Sequence, residues 1–166
     1  MMRPGRFWPV AAAIAILAAA APAWSQKAVI LVRHAEKVDE SDDPLLSAAG
    51  KARARALARH LRTAGVKAIY VTQYKRTRLT AAPLAVAAGL KPILIPADAR
   101  QGLVDAIRKD NPNDVVLVVG HSDSVPDVLR LLGDPEPVTI GAAEYDNLFV
   151  AIPSKAGPPT VLRLRY

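Results

Sequence analysis

Short runs of consecutive apolar residues recur along the chain and alternate with longer segments in which apolar and polar residues mix. A strand that lies between two helical layers has no polar face, so an uninterrupted apolar run of four to six residues predicts such a strand. Four runs fit this description, at residues 28–32, 68–71, 92–95 and 115–119.

The segments between these runs carry apolar residues at helical spacing. In residues 47–64 the apolar positions follow i, i+3, i+4 and i+7, and Gly65 ends the segment. Further helices are predicted at residues 76–88, 100–109 and 125–132. Two apolar stretches near the end flank a Pro/Gly-rich turn and predict a closing hairpin, at residues 147–152 and 160–165.

This alternation of strand and helix predicts the fold class. Strands joined through helices form a mostly parallel sheet with right-handed crossovers and helices on both faces. The sequence therefore predicts a three-layer α/β/α fold, and residues 26–166 contain no linker or repeat that would divide it into two domains.

The first 25 residues have the layout of a secretory signal peptide. Two arginines precede an uncharged apolar run at residues 7–21, and small residues follow at Ala23 and Ser25. We expect cleavage after Ser25 or after Ala23. The apolar run is shorter than the roughly 20 residues that span a bilayer, so we expect no stable membrane insertion after cleavage and a periplasmic or secreted protein.

The amino-acid composition excludes cysteine chemistry and indicates the charge of the ligand. The chain has 166 residues and no cysteine, which excludes disulfides, thiolate nucleophiles and cysteine-ligated metals. Its 22 Lys and Arg exceed its 15 Asp and Glu, which favours an anionic partner. Exported proteins rarely meet nucleic acid, so we expect a small phosphorylated or carboxylated ligand. We interpret the basic stripe on the first predicted helix as a solvated face; it consists of Lys51, Arg55, Arg59 and Arg62.

Arginine and histidine side chains follow three of the predicted strands. Arg33 and His34 follow the first run, Arg76 opens the helix after the second, and His121 follows the last. Ligands of open α/β sheets bind beyond the carboxyl ends of the strands, so we expect these four side chains to converge. The planar guanidinium group of arginine can donate two parallel hydrogen bonds to the oxygens of a phosphate group. Backbone amides near Ser122, at the start of the next predicted helix, would donate to the same anion.

The two histidines are expected to play different parts. An imidazole behind the phosphorus can attack it and form a phospho-enzyme, and we assign His34 to this role. Neighbouring positive charge should lower the pKa of His34 and keep its ring nitrogen nucleophilic. His121 would be a cation or a hydrogen-bond donor to the phosphoryl group. The third histidine, His60, is predicted to lie mid-helix and receives no role.

The segments around these residues resemble the motifs of the histidine phosphatase superfamily, also called phosphoglycerate-mutase-like. They are Leu31–Lys37 with the Arg-His pair, the helix start Leu46–Gly50, Tyr74–Ala81 with the second arginine, and Val118–Ser122 with the second histidine. The resemblance implies a phosphorylated His34 in a pocket completed by Arg33, Arg76 and His121. It also implies that no metal or organic cofactor is needed.

The acid that protonates the leaving oxygen is not assigned by the resemblance. One branch of the family places it directly after the second histidine, where this chain has Ser122. Asp123 is the nearest substitute, although it could instead cap the following helix. Glu36, Asp98 and Glu144 are the alternatives.

These observations predict an exported phosphoric monoester hydrolase of the histidine acid phosphatase type, acting on a small phosphorylated substrate. Mutase activity is not expected, because Glu40 stands where mutases carry asparagine. The alternatives are a protein phosphohistidine phosphatase and a non-catalytic module that binds phosphate or a phospho-ligand. Residues 120–124 are also similar to the serine hydrolase turn, but no histidine follows Ser122 to complete a triad.

Overall fold

The computed structural model describes residues 27–154 and 156–166, so the predicted signal peptide and its cleavage sites lie outside the described residues. Strands and helices alternate along most of this part of the chain. They are β1 (Ala28–Arg33), α1 (Ala48–Leu61), β2 (Val66–Val71), α2 (Lys75–Ala88), β3 (Ile93–Leu94), α3 (Arg100–Asp110), β4 (Val115–Gly120), α4 (Ser124–Leu131), β5 (Asn147–Ile152) and β6 (Thr160–Arg165).

The strands form a single six-stranded sheet, in the order β3-β2-β4-β1-β5-β6. The first four in this order are parallel to their neighbours, whereas β5 runs antiparallel to β1 and β6 antiparallel to β5. The predicted closing hairpin is therefore confirmed. β1 lies in the middle of the sheet, between β4 and β5. Arg33 is its last residue, and His34 follows directly.

Both faces of the sheet are covered by helices. Val29 and Leu31 of β1 pack into one apolar cluster with α3 and α4. Ile30 and Val32, which point the other way because side chains alternate along a strand, pack with α1 and α2. This arrangement confirms the three-layer α/β/α prediction and explains why the strand sequence is apolar throughout.

One predicted strand differs from the expectation. The run at residues 92–95 was expected to be buried, but β3 has only two residues, and Ile93 and Leu94 are 41% and 52% exposed. β3 is an edge strand that pairs with β2 alone. Prolines at positions 92 and 96 flank it and lack the amide hydrogen that a longer ladder needs.

The helix boundaries follow local signals. Ser47 caps α1 by accepting a hydrogen bond from the Gly50 amide. Gly89 ends α2 in the left-handed region, at φ 66°, and its amide donates to two carbonyls of the last turn. Within the described residues no helix is long and apolar enough to cross a membrane.

Candidate active site

The sheet register brings the two histidines of the predicted site together. Arg33 is the last residue of β1 and lies opposite Gly120, the last residue of β4. The His34 amide donates to the Gly120 carbonyl at 2.9 Å, so His34 and His121 leave neighbouring strands at the same level. Their ring centroids are 5.3 Å apart, and both residues are buried.

His34 is held in one tautomer. Its Nδ1 lies 2.9 Å from the Ala35 carbonyl oxygen, which can only accept, so Nδ1 carries the hydrogen and Nε2 keeps its lone pair. Burial lowers the pKa of His34 to about 3, and the positive neighbours Arg33 and Arg76 lower it as well. The expected direction of the pKa change is present, but burial rather than neighbouring charge is its largest cause. The imidazole is neutral at neutral pH.

His121 is bound to the end of β2. Its Nε2 lies 3.0 Å from the Thr72 hydroxyl, which in turn lies 3.0 Å from the Thr77 hydroxyl. Burial and then the charge of Arg76 lower the pKa of His121 to about 4. A pKa this low favours a neutral side chain at neutral pH in the absence of ligand. Sequence reasoning missed Thr72, although its place directly after a predicted strand was an available signal.

Arg33 is positioned by the turn that precedes β5. Its Nη1 donates to the carbonyls of Gly141, Ala142 and Glu144 at 2.8 to 3.1 Å. Its guanidinium lies 4.2 Å from the ring centre of Tyr145. Three carbonyls and one aromatic face fix the arginine without neutralising its charge.

Arg76 is held in a similar way on the other side of the histidines. Its Nη1 donates to the Asp42 carbonyl at 3.0 Å, and its guanidinium lies 4.2 Å from the ring centre of Tyr74. The Tyr74 ring is 5.4 Å from that of His121. On the opposite side, Tyr145 is 6.0 Å from His34, so two tyrosines that sequence reasoning missed flank the pair of imidazoles.

The two arginines keep donors that the described residues do not use. The Nε atoms of Arg33 and Arg76 are buried and have no hydrogen-bond partner there. Buried donors are nearly always satisfied, so two such atoms within one cluster indicate a missing acceptor. A tetrahedral oxyanion supplies several acceptor oxygens and the negative charge that the pocket lacks. The arrangement can therefore bind a phosphoryl group beside an unprotonated Nε2.

Comparison with known proteins agrees with this geometry. Residues 29–100, which include Arg33, His34 and Arg76, match the histidine phosphatase superfamily, branch 1. The predicted resemblance to this superfamily is confirmed over these residues. A search of curated protein sequences finds no significant match.

Solved structures of several phosphatases share the fold. The protein histidine phosphatase SixA complexed with tungstate has a TM-score of 0.67 at 16% identity, over 83% of this chain and 96% of that one. Phosphoserine phosphatase from Entamoeba histolytica, in complex with 3-phosphoglyceric acid, has a TM-score of 0.62 at 18% identity, over 84% of this chain and 96% of that one. Mycobacterial glucosyl-3-phosphoglycerate phosphatase with VO3 has a TM-score of 0.65 at 13% identity, over 84% of this chain and 98% of that one.

The segment after the second histidine differs from the prediction. α4 begins at Ser124, whose hydroxyl accepts from the His121 amide at 2.9 Å. Asp123 does not cap the helix, because its backbone is helical and its carboxylate is bound to Arg100 at 2.5 Å. The Asp123 side chain is 68% exposed. Ser122 makes no side-chain hydrogen bond within the described part of the chain.

The alternative acids have other partners or are exposed. Glu36 forms an ion pair with Arg53 at 2.7 Å, and Glu144 accepts from the Gly141 amide at 2.8 Å and pairs with Arg165. Asp98 is exposed. Across residues 27–154 and 156–166, no carboxylate bonds to either site histidine, and no cluster of three or more His, Asp or Glu could hold a metal ion.

Proposed function

We propose that this chain is an exported phosphatase that hydrolyses phosphate monoesters through a phosphohistidine on His34. The observation that carries the proposal is a buried, neutral imidazole with a free Nε2, flanked by two arginines whose Nε donors lack acceptors. A nucleophile next to a preformed anion site is the arrangement that phosphoryl transfer needs.

The reaction has two steps. In the first, the Nε2 lone pair of His34 bonds to phosphorus, the ester P–O bond breaks, and the departing oxygen takes up a proton. In the second, a water oxygen bonds to phosphorus, the P–N bond breaks, and inorganic phosphate leaves while the water proton passes to solvent. Arg33, Arg76 and His121 hold the non-bridging oxygens in both steps, where negative charge develops.

The position of the acids bears on the substrate. Among the described residues no carboxylate hydrogen-bonds to the imidazoles, and Asp123 is bound to Arg100. Without a positioned acid, the leaving group must depart with little protonation, so aryl phosphates should react faster than alkyl phosphates. Imidazole is also a good leaving group. The same observation therefore favours protein phosphohistidine phosphatase activity as the second candidate, and the likeness to SixA supports it.

The nucleophile is tested by trapping the intermediate. A brief incubation with a ³²P-labelled aryl phosphate, quenched in alkali, should leave label that is acid-labile and alkali-stable. His34→Asn preserves the donor to the Ala35 carbonyl but removes the nucleophile, so it should carry no label and no activity. Vanadate should inhibit the wild type and a chelator should not.

Three results would contradict the proposal. They are label on another residue, undiminished hydrolysis by His34→Asn, and phosphate binding by the wild type without turnover, which would indicate a binding module. Export is tested separately by cell fractionation and by the amino-terminal sequence of the purified protein, which should begin at Gln26 or Trp24.

A further inference from the structure

The two helical layers of the fold differ sharply in charge. Residues 44–97, which contain α1 and α2, include ten Lys or Arg and no Asp or Glu. Residues 98–136, which contain α3 and α4, include eight acidic and four basic residues. Because these helix pairs cover opposite faces of the sheet, the positive charge is concentrated on one side of the molecule.

Most of these cations have no counter-ion in the described structure. Arg53 is bound to Glu36, Lys75 lies near Asp43, and Arg76 belongs to the phosphate pocket. The remaining seven are exposed and form no ion pair with any described residue; they are Lys51, Arg55, Arg59, Arg62, Lys67, Arg78 and Lys91. We call the exposed surface of α1 and α2 the basic face.

An apolar groove runs along the basic face between its two helices. Leu46, Leu79, Pro83 and Val86 line it, and the side chains of Lys51 and Arg55 form its border. Val86 is 84% exposed, the most of any large apolar residue in the described part of the chain. Arginine and lysine can lie with their alkyl stems on apolar surface while their charges stay in contact with water or anions.

We infer that the basic face binds the surface of an anionic lipid bilayer. Headgroup phosphates would contact Arg55, Arg59 and Arg62, while Val86 and Leu79 reach between the headgroups. A lipid surface supplies both features that the face presents, negative charge in a plane and apolar material just beneath it. This inference does not depend on the proposed catalytic activity.

Two other partners fit the face less well. A two-fold contact with a second copy would set unpaired cations against unpaired cations. Nucleic acid would neutralise the positive charge of the basic face. However, α1 and α2 contain no Phe, Trp or Tyr on which bases could stack, and the exposed apolar groove would have no role.

The test compares two triple variants that remove the same charge. Arg55→Gln/Arg59→Gln/Arg62→Gln changes the basic face, and Lys27→Gln/Lys109→Gln/Arg130→Gln changes exposed cations elsewhere. Protein purified as cells process it is sedimented with vesicles of phosphatidylcholine alone or with about one third phosphatidylglycerol. We expect binding to the anionic vesicles only, weakened on the order of 100-fold by the first variant and under threefold by the second.

A second comparison tests the apolar groove. Val86→Ser should weaken vesicle binding severalfold, whereas Leu162→Ser, at an exposed position on β6, should not. Aryl phosphate hydrolysis should be unchanged in all four variants, since none alters the pocket. The inference is overturned by equal binding to uncharged vesicles, by equal loss in the two triple variants, by a dimer that only the first triple variant abolishes, or by tighter binding to single-stranded DNA than to vesicles.

Discussion

Two arginine clusters lie close together in the sequence but differ in what surrounds the guanidinium groups. In the first, Glu36 accepts three hydrogen bonds from Arg53, at 2.7 to 3.0 Å. In the second, the proposed phosphate pocket, the described residues offer Arg33 and Arg76 only carbonyl oxygens and the faces of tyrosines. The same residue type is neutralised by an internal carboxylate in one place and left positive in the other.

The titration of neighbouring groups reflects this difference. Burial alone would raise the pKa of Glu36, but the hydrogen bonds and charge of Arg53 outweigh it and the pKa falls. In the pocket, burial lowers the pKa of His34 and of His121, and the charge of Asp123, which raises the pKa of His121, does not reverse that shift. Asp123 forms its ion pair with Arg100, so no described carboxylate is bound to Arg33 or Arg76. The Glu36 cluster contains its anion, whereas the pocket requires one from outside.

Acid should therefore destabilise the pocket before it affects the Glu36 cluster. Unfolded histidine binds a proton near pH 6.5, but His34 and His121 do so only at about 3 and 4 when folded, so the unfolded chain binds more protons between these values. The free energy of unfolding should fall as pH decreases from 6.5 to 4.5, by on the order of 5 kcal/mol.

Urea unfolding at several pH values measures this loss. His34→Asn cannot titrate and should show about half the slope between pH 6.5 and 4.5. The Glu36 pKa lies below its ordinary value of 4.5, so the ion pair with Arg53 loses its stabilising effect only below that pH. An unchanged slope in His34→Asn would show that the acid sensitivity comes from elsewhere.

The comparison also predicts which arginine matters for activity. Arg76→Lys keeps the charge but loses the planar fork, and we expect kcat/KM for an aryl phosphate to fall about 100-fold. Arg53→Lys makes the same chemical change in the neighbouring cluster and should alter kcat/KM less than threefold. Equal losses of kcat/KM in the two variants would mean that the Arg53–Glu36 pair, and not the guanidinium group of Arg76, controls turnover.

Sequence reasoning located the four side chains that follow the parallel strands, including Arg76, but not the groups that hold them in place. Arg33, His34 and His121 were predictable because they end parallel strands, and strand ends follow from the apolar pattern. Tyr145 and the three carbonyls that hold Arg33 come from a turn more than 100 residues away in the chain. That turn has no periodic pattern, and its approach depends on β5 pairing with β1.

The partner of the predicted acid, Asp123, could not be predicted for a related reason. Asp123 was judged by its distance along the chain from His121, but its carboxylate binds Arg100 at the start of α3. Which side chain pairs with a surface carboxylate is decided by how α3 and α4 pack, and sequence spacing does not carry that information. The same holds for Glu36, whose partner Arg53 lies one turn inside α1.

Stability should respond differently to loss of the two kinds of arginine. Arg53→Met removes the partner of Glu36, which is about one-fifth exposed, so we expect a loss of about 1 to 3 kcal/mol in the free energy of unfolding. Arg76→Met removes a cation with no counter-ion and should be neutral or slightly stabilising. Chemical denaturation at pH 7 measures both, and destabilisation by Arg76→Met equal to that by Arg53→Met would refute the distinction.

The smallest expected effect concerns Asp123, whose carboxylate is bound to Arg100 and is mostly exposed. Asp123→Asn should change kcat/KM for aryl phosphates less than threefold, because an ion pair at the surface contributes little and the carboxylate does not hydrogen-bond to the imidazoles. An alkyl phosphate is the stricter substrate, since its poor leaving group depends on an acid. If Asp123→Asn loses more than tenfold on the alkyl ester alone, the Arg100 pair opens during turnover and Asp123 supplies the proton; if both esters are unaffected, protonation comes from water.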